Sequence, residues 1–377
     1  MTDIPAEPGA VHMAGAPAPD LDPPAEPPRR SALVNIQALR ALAAFMVIFV
    51  HLQALGVAAG LPPDALEFGN GGVDLFFVIS GFIMVYTTGR KPTGPLGFLG
   101  NRLRRIAPLY WTVTLAVFAV AVIAPRLLQG TRADPAQLVA SLLFLPYVRA
   151  DGLVRPVVFV GWTLNYEMAF YVLFALGLCL RGRIASLLAT LGMIAALILW
   201  GLAARPQDTF GAFYTQPMIA EFGLGMILGA VWPRLPSSRR WVWPAALCGA
   251  LALGLMIAGR SLYPQLERTL MFGLPAAVVV GASLILERAQ VAVPWPWLRR
   301  LGDASYATYL THFFVTQAIV LAAARLAIQG WLPALALGAC AFAGAALTGL
   351  AVHFGVERTL EQAIRALAAR RRPRQYA

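Results

Sequence analysis

The sequence predicts an all-α, polytopic integral membrane helical bundle of about ten transmembrane helices with both termini cytoplasmic. Composition is the first observation behind this: 59% of the 377 residues are hydrophobic, 13% are charged, and the mean hydropathy is +0.67. The second is recurrence, since apolar stretches long enough to cross a hydrocarbon core, about 20 residues with shorter tilted ones tolerated, follow one another along almost the whole chain after residue 32. The third is the concentration of arginine on alternate connections.

Residues 1–32 hold eight prolines and five acidic residues with no apolar core. Such a segment cannot offset the entropy of ordering, so a disordered, Pro-rich cytoplasmic tail is expected. A transmembrane domain is expected over 33–355, with spans at 33–55, 72–88, 106–124, 162–180, 184–204, 213–231, 241–259, 269–286, 305–328 and 331–355. The stretch AQLVASLLFLPY, 136–147, is too short to cross as a helix and is expected at the interface or as a re-entrant segment. Residues 356–377 are expected to form a basic cytoplasmic tail.

With both ends inside, 21 of the 30 basic residues fall on inner segments and 8 on outer ones, with Arg40 inside the membrane. That dispersal along one membrane surface also argues against nucleic acid, which is bound by a basic globular face with aromatic stacking partners. Cys179, Cys248 and Cys340 show no C-x-x-C spacing and read as packing residues. His12, His51, His312 and His353 lack a second ligand at i+3 or i+4, so no protein-bound metal is expected. Neither a Walker loop nor a G-x-S-x-G elbow is present, and any phosphate must be held by arginine side chains.

Ionisable groups in lipid-spanning helices normally face a protein interior or wet cavity, where they pair or act on something. Arg40 and His51 share the span NIQALRALAAFMVIFVHLQALG. Eleven steps of about 100° leave them roughly 20° apart around the helix and roughly 16 Å apart along it. Asp74, in GGVDLFFVISGF, and Glu167, in GWTLNYEMAFYV, are expected near the depth of His51. Thr163, Glu167 and Tyr171 follow i, i+4, i+8 spacing, a polar stripe facing other helices. Glu221 is similarly deep and has no evident partner in sequence. In NRLRRIAPLYW, Arg102 and Arg105 lie three apart on one face, with Arg104 offset; two guanidinium forks on one face suit a phosphate. The ninth span opens with LGDASYATYLTHFF, where Asp303 or Ser305 is expected to cap the helix, and Ser305, Tyr309, His312 and Thr316 form an inward stripe.

Five segments in this order, NIQALRALAAFMVIFVHL, GGVDLFFVISGFIM, NRLRRIAPLYW, GWTLNYEMAFY and LGDASYATYLTH, resemble the acyltransferase 3 family of integral-membrane carbohydrate O-acyltransferases. The resemblance covers about 33–355 and is strongest to the exopolysaccharide O-acetyltransferase branch. It matches the family's first-helix arginine and histidine to Arg40 and His51, its basic pair to Arg102 and Arg105, and its acidic residue to Glu167. One departure stands out: relatives with two consecutive acids contrast with Glu167 followed by Met168 here.

The resemblance implies an acyl-CoA donor, most simply acetyl-CoA, at the cytoplasmic face of a cell inner membrane, a glycan acceptor, and no metal. Homo-oligomerisation stays open. Arg102 and Arg105, with Arg104 beside them and Arg40, Tyr309 and His312 further along, are the candidates for holding the donor. His51, whose unperturbed pKa near 6.5 suits proton transfer at neutral pH, would deprotonate the sugar hydroxyl, with Glu167 or Asp74 orienting its ring; an acyl-histidine intermediate is equally compatible. The rival class is a transporter or flippase, which buried charges also suit, although the ten spans do not divide into two similar halves.

Overall fold

The computed structural model describes residues 33–128, 133–149 and 151–370. The expected tail over 1–32 lies outside the described residues, as does 371–377. The principal helices are α1 (Val34–Val50), α2 (Gly71–Arg90), α3 (Pro95–Ile123), α4 (Trp162–Gly177), α5 (Arg183–Ala204), α6 (Ala220–Val231), α7 (Val242–Leu262), α8 (Leu274–Arg288), α9 (Ser305–Arg325) and α10 (Trp331–Val352). The only extended pairing among the described residues is one isolated bridge, between Val148 and Val154.

Eight of the ten expected spans are single helices long and apolar enough to cross a membrane. The other two are interrupted. α1 ends after 17 residues, where His51 turns at φ −88°, ψ 0° and its N–H bonds to the Ile48 carbonyl at 3.0 Å; the chain resumes as a short helix, Gln53–Ala58. The expected sixth span, 213–231, is broken by Pro217. Proline lacks the N–H a helix needs and pushes the residue before it out of the helical region. Gln216 is accordingly extended, and the segment divides into Thr209–Tyr214, a 3₁₀ turn over Pro217–Ile219, and α6.

α3 starts well before the expected 106 and takes Arg102, Arg104 and Arg105 into its first half. α10 runs through a π turn, His353–Glu357, into a helix over Arg358–Arg370, so the segment expected as a basic tail begins helically. Neither Asp303 nor Ser305 caps α9. A preceding helix, Pro296–Asp303, runs almost directly into it: the Ala304 N–H bonds to Arg300 and the Ala304 carbonyl accepts from Thr308, which leaves no open end for a side chain to satisfy.

α2 lies at the centre. Gly81 abuts the Phe222 carbonyl and Gly225 the Val78 carbonyl so closely that a Cβ at either would collide with backbone. Small residues at a crossing are how membrane helices gain contact without a hydrophobic driving force. Phe222 stacks between Phe77 and Phe170, at 4.4 Å from each. α5, α7 and α10 instead show Ile184, Leu188, Leu251, Leu335 and Leu347 outward, the surface that lipid covers.

The described parts of the connection from α3 to α4 are tied to one another and to α3. Asp134 caps a short helix, Pro135–Leu142, by accepting from the Ala136 N–H at 2.8 Å. The Trp111 indole donates to the Leu142 carbonyl at 2.8 Å, and Ser141 Oγ accepts from the Val157 N–H at 3.0 Å.

Candidate active site

α1, α2, α3, α4 and α9 enclose a cavity of about 420 Å³, within the range of small-molecule sites. Gln37 and Arg40 enter it from the first turns of α1, Thr87 from the last turn of α2, and Arg102 and Arg105 from α3. Ser80, Thr163, Glu167, Tyr171, Tyr306 and Tyr309 supply the remaining polar lining, and the rest is apolar. Three guanidinium groups therefore face one carboxylate. A wall of that balance in a low-dielectric surround attracts anions.

Helical phase does the selecting. Arg102 and Arg105 line the cavity, whereas Arg104, one step round, is exposed and bonds back to the Gly100 carbonyl and Asn101 side chain of its own helix. Arg104, expected beside the pair, therefore lies off the cavity, although Arg105 is exposed as well. Arg102 donates to Thr87 Oγ1 at 3.4 Å and its Nε has no partner among the described residues, a buried donor available to a ligand. Arg40 donates to Gln37 Oε1 at 3.2 Å.

The stripe on α4 faces this cavity in full. Glu167 accepts hydrogen bonds from Ser80, at 3.1 Å, and from Tyr171. The Thr163 and Tyr309 hydroxyls lie 2.8 Å apart, and Tyr309 also donates to the Val160 carbonyl at 3.0 Å. Ser305, Tyr309, His312 and Thr316 on α9 are all buried, as their spacing predicts, but only Tyr309 among them lines the cavity.

His51 lies beyond the far wall. The Tyr309 ring is 5.8 Å from His312, and His312 is 5.2 Å from His51. Phe159 and Phe313 set their rings nearly perpendicular to the His51 imidazole, at 5.6 and 5.1 Å, and brace it from two sides. His312 is fully buried. Its Nδ1 lies 2.7 Å from the Tyr309 carbonyl, which can only accept, so Nδ1 carries the proton and Nε2 presents a lone pair with no partner among the described residues. His312 was expected on the donor path, and the structure sets it against His51 instead.

The carboxylates expected to orient His51 are engaged elsewhere. Glu167 is held by Ser80 and Tyr171. Asp74, fully buried, forms an ion pair with Arg268 at 2.8 Å, and the equally buried Glu221 interacts electrostatically with both. Depth along a helix can be read from sequence, but the direction Asp74 faces is decided by α6 and the turn after α7. Arg268 gives no sequence signal, because it belongs to a connection. Ser80, Thr87 and Tyr306 were likewise missed; the first two follow α2's own periodicity and were in principle readable. Among the described residues no three His, Cys, Asp or Glu side chains converge as metal ligands would.

The sequence profile of the acyltransferase domain matches residues 33–350. The chain belongs to the acyltransferase 3 family. This acyltransferase is 36% identical over 296 residues to the exopolysaccharide production protein ExoZ of Rhizobium meliloti, spanning 78% of this chain and 89% of that one. It is 28% identical to the acyltransferase MdmB of Streptomyces mycarofaciens over 77% of this chain and 80% of that protein. It is 25% identical to the putative peptidoglycan O-acetyltransferase YrhL of Bacillus subtilis, over 74% of this chain and 48% of the other. No solved structure matches. An integral-membrane acyltransferase needs a place for an activated acyl donor and a base for the acceptor, and the cavity and the histidine pair are the candidates for these two roles.

Proposed function

We propose that this acyltransferase moves an acetyl group from acetyl-CoA, entering at the cytoplasmic face of the inner membrane, to a hydroxyl of an exported glycan such as an exopolysaccharide. The observation that carries the reading is the cavity: three arginines at one end, hydroxyls and apolar wall between, and Tyr309, His312 and His51 in succession past the other end. The donor fits this lining by chemistry. Arg102, Arg105 and Arg40 would take its phosphates, and the uncharged wall would take its slender arm.

On this reading His51 accepts the proton of the sugar hydroxyl while the hydroxyl oxygen attacks the thioester carbonyl; the C–S bond breaks, and the departing thiolate takes that proton from the His51 imidazolium. His312, 5.2 Å from His51 and with an unpartnered Nε2, offers a lone pair that stabilises the imidazolium while it exists. That role replaces the carboxylate partner expected from sequence. Glu167 balances the arginines and orders Ser80 and Tyr171, and Arg40 guides the donor along the roughly 16 Å of helix between the two ends. ExoZ, named for exopolysaccharide production, and YrhL, named a putative O-acetyltransferase, support the acceptor class and the group.

The test is to incubate purified protein in detergent with radiolabelled acetyl-CoA and acceptor glycan. Label should pass into sugar. Absence of transfer, together with substrate-dependent flux in vesicles, would sink the enzyme reading in favour of a transporter.

A further inference from the structure

Around His51 lies a polar and aromatic group of residues that does not line the arginine cavity. His51, Phe159, Phe313 and Arg155 are all partly exposed. Phe159 packs on Phe313 at 4.9 Å and 30°, and the imidazole meets both rings nearly at right angles. The Arg155 guanidinium carbon lies over the Phe159 ring, 4.5 Å from its centre.

Arg155 forms no ion pair within 4 Å among the described residues; Asp151, which accepts from the Leu153 N–H at 3.1 Å, acts on it at longer range. A guanidinium over an aromatic ring retains N–H donors that can fork around an anion. Its backbone is held in place on both sides, by the Val148 to Val154 bridge before it and by the Val157 bond to Ser141 after it. The pattern is a cation beside a packed aromatic pair beside a base. Sugar rings present C–H groups that pack against aromatic side chains, and hydroxyls at their rims.

We propose that Arg155, Phe159 and Phe313 form the acceptor subsite, and that the acceptor bears an anionic group next to the ring whose hydroxyl reaches His51. This rests on the acetyltransferase reading for the role of His51. The anion is either a carboxylate of an acidic sugar or a phosphate joining the glycan to its carrier; both satisfy the same fork. Bringing a charge to a site with one fixed cation gives a discrimination of roughly tenfold or more over a neutral analogue.

Direct binding tests the subsite without requiring transfer. Purified full-length protein is titrated with cellobiouronic acid, with cellobiosyl phosphate and with cellobiose, which differ in charge on a common disaccharide. At least one charged probe should bind about tenfold more tightly than cellobiose, the better of the two naming the source of the anion. R155A should abolish that preference and R155K restore part of it, with the melting temperature of both variants near that of the wild type. Equal binding of all three probes, undetectable binding included, overturns the proposal, as does a preference that survives R155A. Label transfer from acetyl-CoA, measured in parallel, reports separately on the acetyltransferase reading: transfer without charge preference removes the subsite and leaves the enzyme, whereas charge-selective binding without transfer does the reverse.

Discussion

Two intramembrane acids, Glu167 half-buried and Asp74 fully buried, differ in what surrounds them. Glu167 faces a cavity and accepts from two hydroxyls, with Arg102 and Arg105 across the space. Asp74 is shut between helices against Arg268, with Glu221 beside them. An intramembrane acid is costly in both places. In the cavity the cost leaves a group a ligand can meet; in the sealed cluster it is offset by an ion pair that joins α2 to the turn before α8. On the proposed function, intramembrane charge would mark a ligand-facing role only where it borders open volume.

The comparison can be broken most sharply at the far end of the cavity path. His51→Ala should lower transfer by about 10²- to 10⁴-fold, the usual contribution of a general base, with donor binding and melting temperature close to wild type. Replacing Arg102 and Arg105 together by Ala should raise the KM for acetyl-CoA by about a hundredfold, as loss of two charge-assisted contacts implies, while a saturating donor restores turnover. The reverse assignment of these two effects would mean that the ends of the path are exchanged. Glu167→Gln should cost about tenfold in turnover, one charged contact's worth, and little in thermal unfolding. Asp74→Asn should do the opposite, lowering stability by about 1 to 3 kcal/mol through loss of the Arg268 ion pair, with activity per folded molecule retained; equal loss of activity in both variants would erase the distinction. Arg104→Ala should change the KM by less than about twofold, as surface substitutions do.

How much was legible follows the same division. Helix phase within one element is readable, so the α4 stripe, the split between Arg102 and Arg105 on one side and Arg104 on the other, and the buried face of α9 all follow from spacing alone. Direction relative to other elements is not. Asp74 has the depth expected of it, yet its partner Arg268 arrives from a connection, and no periodicity reports on a connection. The same limit hid Phe159 and Arg155, which stand before α4 rather than on it, and the role of His312, whose spacing gave its burial but not its neighbour. Pro217 was visible inside the sixth span but was outweighed by the apolar run around it.

The connection between α3 and α4 has a property that reaches past this protein. Its ties among the described residues run within itself and to α3, through Asp134, Ser141, Trp111 and the Val148 to Val154 bridge, and it meets other elements through backbone carbonyls, Phe144 accepting from Tyr214 and Val160 from Tyr309. It meets the histidine through Phe159, and the arginines of the donor path lie on other segments. Given the proposed acceptor subsite, sequence change in this connection would retune what is acylated, while Arg40, Arg102 and Arg105 stay on other segments. Grafting this connection between relatives is then a route to new acceptors that leaves the helical frame untouched.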